Sequence, residues 1–184
     1  MPPSATPAVR ILIVEDDESI RSTLADILEL NGYEVLQAAD GDQGLALALV
    51  QLPDLILTDI AMPRRDGLAL IDELHANERT RPIPVIIVSA SVELERIRAG
   101  MDRGAEDYLI KPFTEEQVLR SIKARLEKKT LVDELDAFAH TVAHDLKNPI
   151  SNLMARAVLL RLGWAADDEA RKLEHIREIE VGAK

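Results

Sequence analysis

Acidic side chains early in the chain stand where short apolar runs stop: Glu15, Asp16 and Asp17 follow RILIV, and Asp59 ends LILTD. A hydroxyl, Ser89, ends VIIVS, and an ammonium, Lys111, ends DYLIK. Carboxylates gathered in one place repel and hold protons unless a cation compensates, and hard oxygen ligands with a water-rich shell suit Mg²⁺. Lys111 and Ser89, together with the metal, would neutralise a tetrahedral phosphoryl group positioned at Asp59. The chemistry this set points to is phosphate carried on a carboxylate.

A second polar group stands in FAHTVAHDLKNPISNL. His144 follows Val142 by two residues, so at ~100° per residue it turns well away from the apolar seam and is expected to be exposed. Asp145 could accept the proton of one ring nitrogen and leave the other as a nucleophile. His140 lies one turn earlier, but no HExxH pattern exists, so it is read as a surface or packing residue. His75 and His175 have no partner that the sequence reveals and are read as solvated. Asn148 and Asn152 mimic an asparagine-box spacing, yet no glycine-rich lid follows.

For the strand-end residues to meet, their strands must run parallel and adjacent. From Arg10 to about Leu126, β-branched apolar runs alternate with amphipathic stretches, which predicts five strands and five helices around a parallel sheet. LIL and VIIV are apolar on both faces, as central strands covered by helices require. In the strand order 2-1-3-4-5, ligands bind outside the carboxyl ends and strands one and three are neighbours. Glu15, Asp16 and Asp59 then converge, Asp17 faces solvent or caps the next helix, and Met62 and Leu68 fall in the core.

After Pro112 no glycine or proline occurs until Pro149, in a stretch rich in Leu, Glu, Lys and Ala. That predicts one long helix leaving the first domain. Leu131, Leu135, Phe138, Val142, Pro149, Leu153 and Leu160 recur mostly at spacings of three or four, the seam of a packed helix. A hairpin turn is expected around Gly163 to Asp168, followed by a second helix over Glu169 to Val181. The chain then stops without an evident cap, which suggests a fragment of something longer.

Composition narrows the classes. The 184 residues carry 22 Lys+Arg against 33 Asp+Glu, a net charge of −11, and no cysteine. Disulfides and thiolate sites are excluded and the cytoplasm is the default location. No apolar run suffices for a membrane span, and no export signal opens the chain. The acidic balance argues against direct nucleic-acid binding.

VEDDESIR, LILTDIAMPRRDG, VIIVSA and YLIKPF resemble the receiver domain of two-component response regulators, over roughly residues 9–128. The resemblance implies that Asp59 is the phosphoaspartate and that Glu15, Asp16 and Asp59 bind Mg²⁺ with the backbone carbonyl of Ala61. It further implies that Ser89 is the switch hydroxyl, Lys111 the phosphate partner, Tyr108 the aromatic switch residue and Lys111–Pro112 a cis bond. Glu15 stands where many receivers have Asp.

HDLKNP resembles the H-box of histidine kinase dimerisation and phosphotransfer domains, from roughly Leu131 onward. By that resemblance His144 is the phosphohistidine, Asp145 its acid/base partner, Asn148 a residue that orients water and Pro149 a kink. Two helical hairpins would form a four-helix bundle, hence a homodimer. The sequence contains neither a GxxxxGK[ST] loop nor a DxGxG lid, so ATP would act only through a domain this chain lacks.

The sequence therefore predicts a disordered tail over residues 1–8, a five-stranded parallel doubly wound (flavodoxin-like) receiver domain over 9–128 and a truncated all-α hairpin over 129–184. The leading expectation is a fragment of a hybrid histidine kinase, whose parent is a protein-histidine kinase with partner kinases or regulators. The alternative is a non-catalytic response regulator whose helical tail serves only dimerisation or partner binding. A flavodoxin-like small-molecule binder is disfavoured, because it leaves Lys111, Ser89 and the acids without a task.

Overall fold

The computed structural model describes residues 9–90 and 94–165. The expected disordered tail over residues 1–8 and the second hairpin helix from Glu169 to Val181 lie outside them. Strands and helices alternate as β1 (Arg10–Val14), α1 (Glu18–Leu30), β2 (Glu34–Ala38), α2 (Gly41–Gln51) and β3 (Leu55–Asp59). They continue as α3 (Gly67–Ala76), β4 (Val85–Ala90), α4 (Leu94–Asp102), β5 (Asp107–Lys111) and α5 (Glu115–Ala165).

Three helices begin at an aspartate whose carboxylate takes up N–H groups that the first turn leaves unpaired. Asp17 accepts from Ser19 N at 2.8 Å and Ile20 N at 3.2 Å, Asp40 from Gln43 N at 2.9 Å, and Asp66 from Ala69 N at 2.8 Å. The five strands are all parallel, in the order β2-β1-β3-β4-β5 expected from the sequence. Alternate strand residues feed two cores. Leu12, Val14, Ile56 and Ile87 pack with Leu70, Ile71 and Ile97 on the side of α2, α3 and α4. Ile11, Ile13, Leu57 and Val88 pack on the other side with Leu24 and Leu28 of α1 and with Val118 and Ile122 of α5. Burial on both faces explains why the central strands read as unbroken apolar runs.

The chain divides into two units between Thr130 and Leu131, within α5. In the second unit Leu131, Leu135 and Phe138 are about two thirds exposed, and Leu146, Ile150 and Leu153 are exposed as well. Pro149 lies inside the helix without ending it; lacking an N–H, it leaves the carbonyl of Asp145 without its usual donor. Of the turn expected around Gly163 to Asp168, residues 163–165 are helical, as the end of α5, and the rest lies outside the described residues. A single glycine costs a helix only about 1 kcal/mol relative to alanine, too little to end one by itself. The described residues contain a single helix here and no four-helix bundle.

Leu28 is fully buried and Leu30, two residues on, is 87% exposed. Leu28→Ala is expected to destabilise the first unit by about 2–5 kcal/mol and Leu30→Ala by no more than about 0.5 kcal/mol in urea unfolding. Equal losses would contradict this packing of α1.

Candidate functional site

Strands β1 and β3 are neighbours in register, with Val14 opposite Thr58, so the residues that follow lie side by side at the carboxyl end of the sheet. Ligand atoms of Glu15, Asp16 and Asp59 lie within 4.8 Å of one another. Glu15 and Asp59 are buried while Asp16 is exposed, which leaves the cluster open on one side. Lys111, from the end of β5, places Nζ 2.8 Å from Glu15 Oε2 and 3.1 Å from Asp59 Oδ2.

Backbone donors complete the setting. Ala61 N–H donates to Asp59 Oδ1 at 3.3 Å, and Asp17 N–H to Glu15 Oε1 at 3.4 Å. Arg21 donates to the carbonyl of Glu15 at 2.7 Å and to that of Asp16 at 3.4 Å, fixing the turn that carries both acids.

Burial pushes the Glu15 carboxyl up to about 7; the hydrogen bond from Lys111 opposes this and the neighbouring charge of Asp59 adds to it. Burial alone would lower the Lys111 ammonium, but its hydrogen bond to Glu15 and the charges of Asp59 and Glu15 outweigh that and raise it. Lys111 stays protonated. It tempers the crowding of the acids without removing it, so a hard divalent cation on this all-oxygen donor set would relieve a repulsion already present. The residues fit Mg²⁺.

Ser89 follows Val88, the register partner of Asp59, and its side chain is fully buried. Tyr108 on β5 is 45% exposed, and the Lys111–Pro112 bond is cis. Met62 is buried, and Leu68 packs against the core, as expected. His144 and Asp145 lie in the second unit, with His144 Nδ1 3.3 Å from Asp145 Oδ1 and both side chains exposed. Asn148 follows His144 by one turn of the same helix.

His75 is not simply solvated, in contrast to the sequence expectation. Its Nδ1 lies 2.7 Å from the carbonyl of Arg103, and a Cβ on Gly104 would come within 2.4 Å of its ring. Only a bare glycine, here at φ +103, lets the imidazole lie so close. The sequence reading also passed over Gly67, where a Cβ would meet the carbonyl oxygen of Asp59 at 2.1 Å. The signal was available in Asp66-Gly67, an N-cap followed by a residue with no side chain.

The shift at Glu15 has a definite sign. A folded-state value above the ordinary carboxylate range means that the metal-free folded protein binds more protons than the unfolded chain, so stability falls as pH rises toward and through about 7. Between about pH 5 and about pH 7.5 a loss on the order of 1–3 kcal/mol is expected from this group, and Glu15→Gln removes it. Mg²⁺ competes with that proton, so calorimetric Mg²⁺ affinity should rise over the same window. A flat stability profile in metal-free wild type would overturn the assignment.

Residues 11–123 match the response regulator receiver domain family. The chain is 42% identical over 119 residues to the DNA-binding dual master transcriptional regulator RpaA of Synechocystis sp., covering 65% of this chain and 49% of that one. It is 38% identical over 151 residues to the response regulator MprA of Mycobacterium ulcerans, covering 81% and 64%. The chain thus spans about half to two thirds of the length of these relatives. Among solved structures, a CheY-like receiver domain protein from Methanospirillum hungatei superposes with a TM-score of 0.63 at 33% identity, covering 67% of this chain and 97% of that one. NtrX from Brucella abortus gives 0.67 at 34% identity, covering 70% and 29%. With more than half its length matched, this chain belongs to the response regulator receiver domain family.

Proposed function

We propose that this chain is a phosphorylation-controlled signalling module in which Asp59 accepts a phosphoryl group from a phosphohistidine on a partner kinase. The observation that carries this reading is the Lys111 ammonium, 2.8 Å from Glu15 and 3.1 Å from Asp59, beside the exposed Asp16. Asp59 attacks phosphorus as the P–N bond breaks; the electron pair returns to the imidazole of the donor, which takes up a proton, and an acyl phosphate remains on Asp59. Glu15, Asp16, Asp59 and the Ala61 carbonyl would hold Mg²⁺, which when bound supplies positive charge against the phosphoryl oxygens. Lys111 neutralises the same oxygens, Ser89 supplies the switch hydroxyl, and Tyr108 is the exposed aromatic whose setting changes.

The α5 segment from Leu131 onward serves as a homodimerisation or partner module. Its support is the row of exposed apolar residues from Leu131 to Leu153, which water disfavours. The relative MprA, a response regulator by name, favours this reading over a hybrid kinase. The reading includes no nucleic-acid contact. The DNA binding in the name of RpaA belongs to a protein of which this chain matches 49%, and a net charge of −11 disfavours phosphate backbones.

One observation keeps a second reading. Asp145 lies 3.3 Å from His144 Nδ1, an arrangement that would leave Nε2 as the nucleophile of a phosphohistidine site. Asn148, one turn on, would then orient water for dephosphorylation.

Intact-mass spectrometry after incubation with Mg²⁺ and acetyl phosphate should show one added phosphoryl group on wild type and on His144→Gln, and none on Asp59→Asn. Phosphorylation of His144 after addition of a purified kinase ATP-binding domain and ATP would establish the second reading; its absence would leave α5 as an interaction module. By light scattering at about 50 μM, a dimer is expected for wild type and a monomer for the Leu135→Glu/Phe138→Glu pair, since two charges in an apolar seam cost several kcal/mol. A monomeric wild type would exclude the dimer.

A further inference from the structure

The loop between β3 and α3 carries Ala61, whose N–H donates to the acceptor carboxylate of Asp59 at 3.3 Å. The Gly67 N–H closes this loop on the carbonyl of Ile60 at 3.0 Å, and the charged side chains of the loop add further ties. Its residues Arg64, Arg65 and Asp66 each reach to a different charged partner.

Asp40 ends the β2–α2 connection and is 4% exposed. Its Oδ1 caps α2, accepting from Gln43 N at 2.9 Å. Its Oδ2 pairs with the guanidinium of Arg64, a side chain that is itself largely exposed. A buried carboxylate therefore draws a surface arginine down onto the start of α2. Arg64 adopts φ +67, the left-handed region that disfavours residues with a Cβ, so the loop accepts backbone strain to make this contact.

Arg65 spans two helices. Its Nε donates to Asp42 at 2.7 Å and its Nη1 to Glu73 at 3.2 Å. Gly41 lies directly against it, since a Cβ there would come within 2.5 Å of the Arg65 carbonyl oxygen. Asp66 caps α3 and accepts from Arg96 Nη2 at 3.2 Å, and the same Nη2 donates to the carbonyl of Ile60 at 3.3 Å.

We propose that Arg64 and Arg65 are positioning residues, a two-point ionic clamp that pins the β3–α3 loop onto the start of α2 and so holds the Ala61 N–H against Asp59. The inference rests on the reading of Asp59 as phosphoacceptor. The Arg65 pairs end on the half-exposed carboxylates of Asp42 and Glu73 and contribute little to global stability, whereas loss of Arg64 would also strand the buried carboxylate of Asp40. Arg64 and Arg65 pair with Asp40, Asp42 and Glu73, and neither arginine touches the reacting carboxylate.

The test uses the full chain and the variants Arg64→Ala, Arg65→Ala, Asp42→Lys and Arg65→Glu, with Asp42→Lys/Arg65→Glu as the charge-swapped pair, built together with Glu73→Gln so that the introduced carboxylate meets no like charge. Amide hydrogen exchange over residues 60–66 in metal-free protein is expected to quicken about 10-fold or more in each single variant, with the urea midpoint close to wild type in the Arg65 and Asp42 variants and lowered in Arg64→Ala. Acetyl phosphate labelling of Asp59 should slow several-fold at saturating Mg²⁺. The swapped pair is expected to restore both exchange and labelling toward wild type, which simple loop damage would not do. Unchanged exchange in the single variants, slowing that merely tracks lost stability, or no recovery in the swapped pair would each overturn the clamp. If wild type itself is not labelled at Asp59, the phosphoacceptor reading fails instead; if wild type is labelled and the variants match it, only the clamp fails.

Discussion

Two buried carboxylates from adjacent strands share one ammonium, and the site is organised around that contact. Without Lys111 the charges of Glu15 and Asp59 would face each other in a poorly solvated pocket, where repulsion is several times stronger than in water. With it, the pair persists but stays under-compensated, and Glu15 holds its proton up to about 7. A site left in that condition is ready for a further cation and for the anionic group that the cation brings. The sheet order supplies the geometry, because β1 and β3 are neighbours and β5 stands at the edge from which a long lysine can reach across.

The helical part of the molecule poses a different physical problem. Up to Leu126 the apolar residues of α5 close the core over β1, β3 and β5. From Leu131 onward the same helix presents its apolar residues to water. Family membership rests on the first part, and the relatives that match it include the response regulator MprA. A histidine beside an aspartate on an exposed helix is chemically suited to phosphorylation, but two neighbouring side chains 3.3 Å apart carry less weight than four groups converging from three strands.

What the sequence disclosed follows from how locally each feature is encoded. The strands were legible because LIL and VIIV are apolar on both faces, and the acid cluster because its members end those runs. Asp17 was legible as a cap from its place before a helical pattern. The arginine contacts were not, since Arg21, Arg64 and Arg65 pair with groups fixed only by the packing of other elements. His75 eluded the reading because its partner is a backbone carbonyl near a glycine almost thirty residues on. The hairpin turn expected around Gly163 to Asp168 lies partly outside the described residues, and the helix tolerates Gly163 itself.

The most direct measurement is borohydride trapping. After incubation with Mg²⁺ and acetyl phosphate, reduction converts an aspartyl phosphate to homoserine, and peptide sequencing by mass spectrometry locates it. Homoserine at position 59, dependent on Mg²⁺ and lost when Lys111 is replaced by alanine, is the expected result. No reduced residue at position 59, or reduction that is indifferent to both Mg²⁺ and Lys111, would contradict the assignment of this acid cluster as a phosphoryl-accepting site.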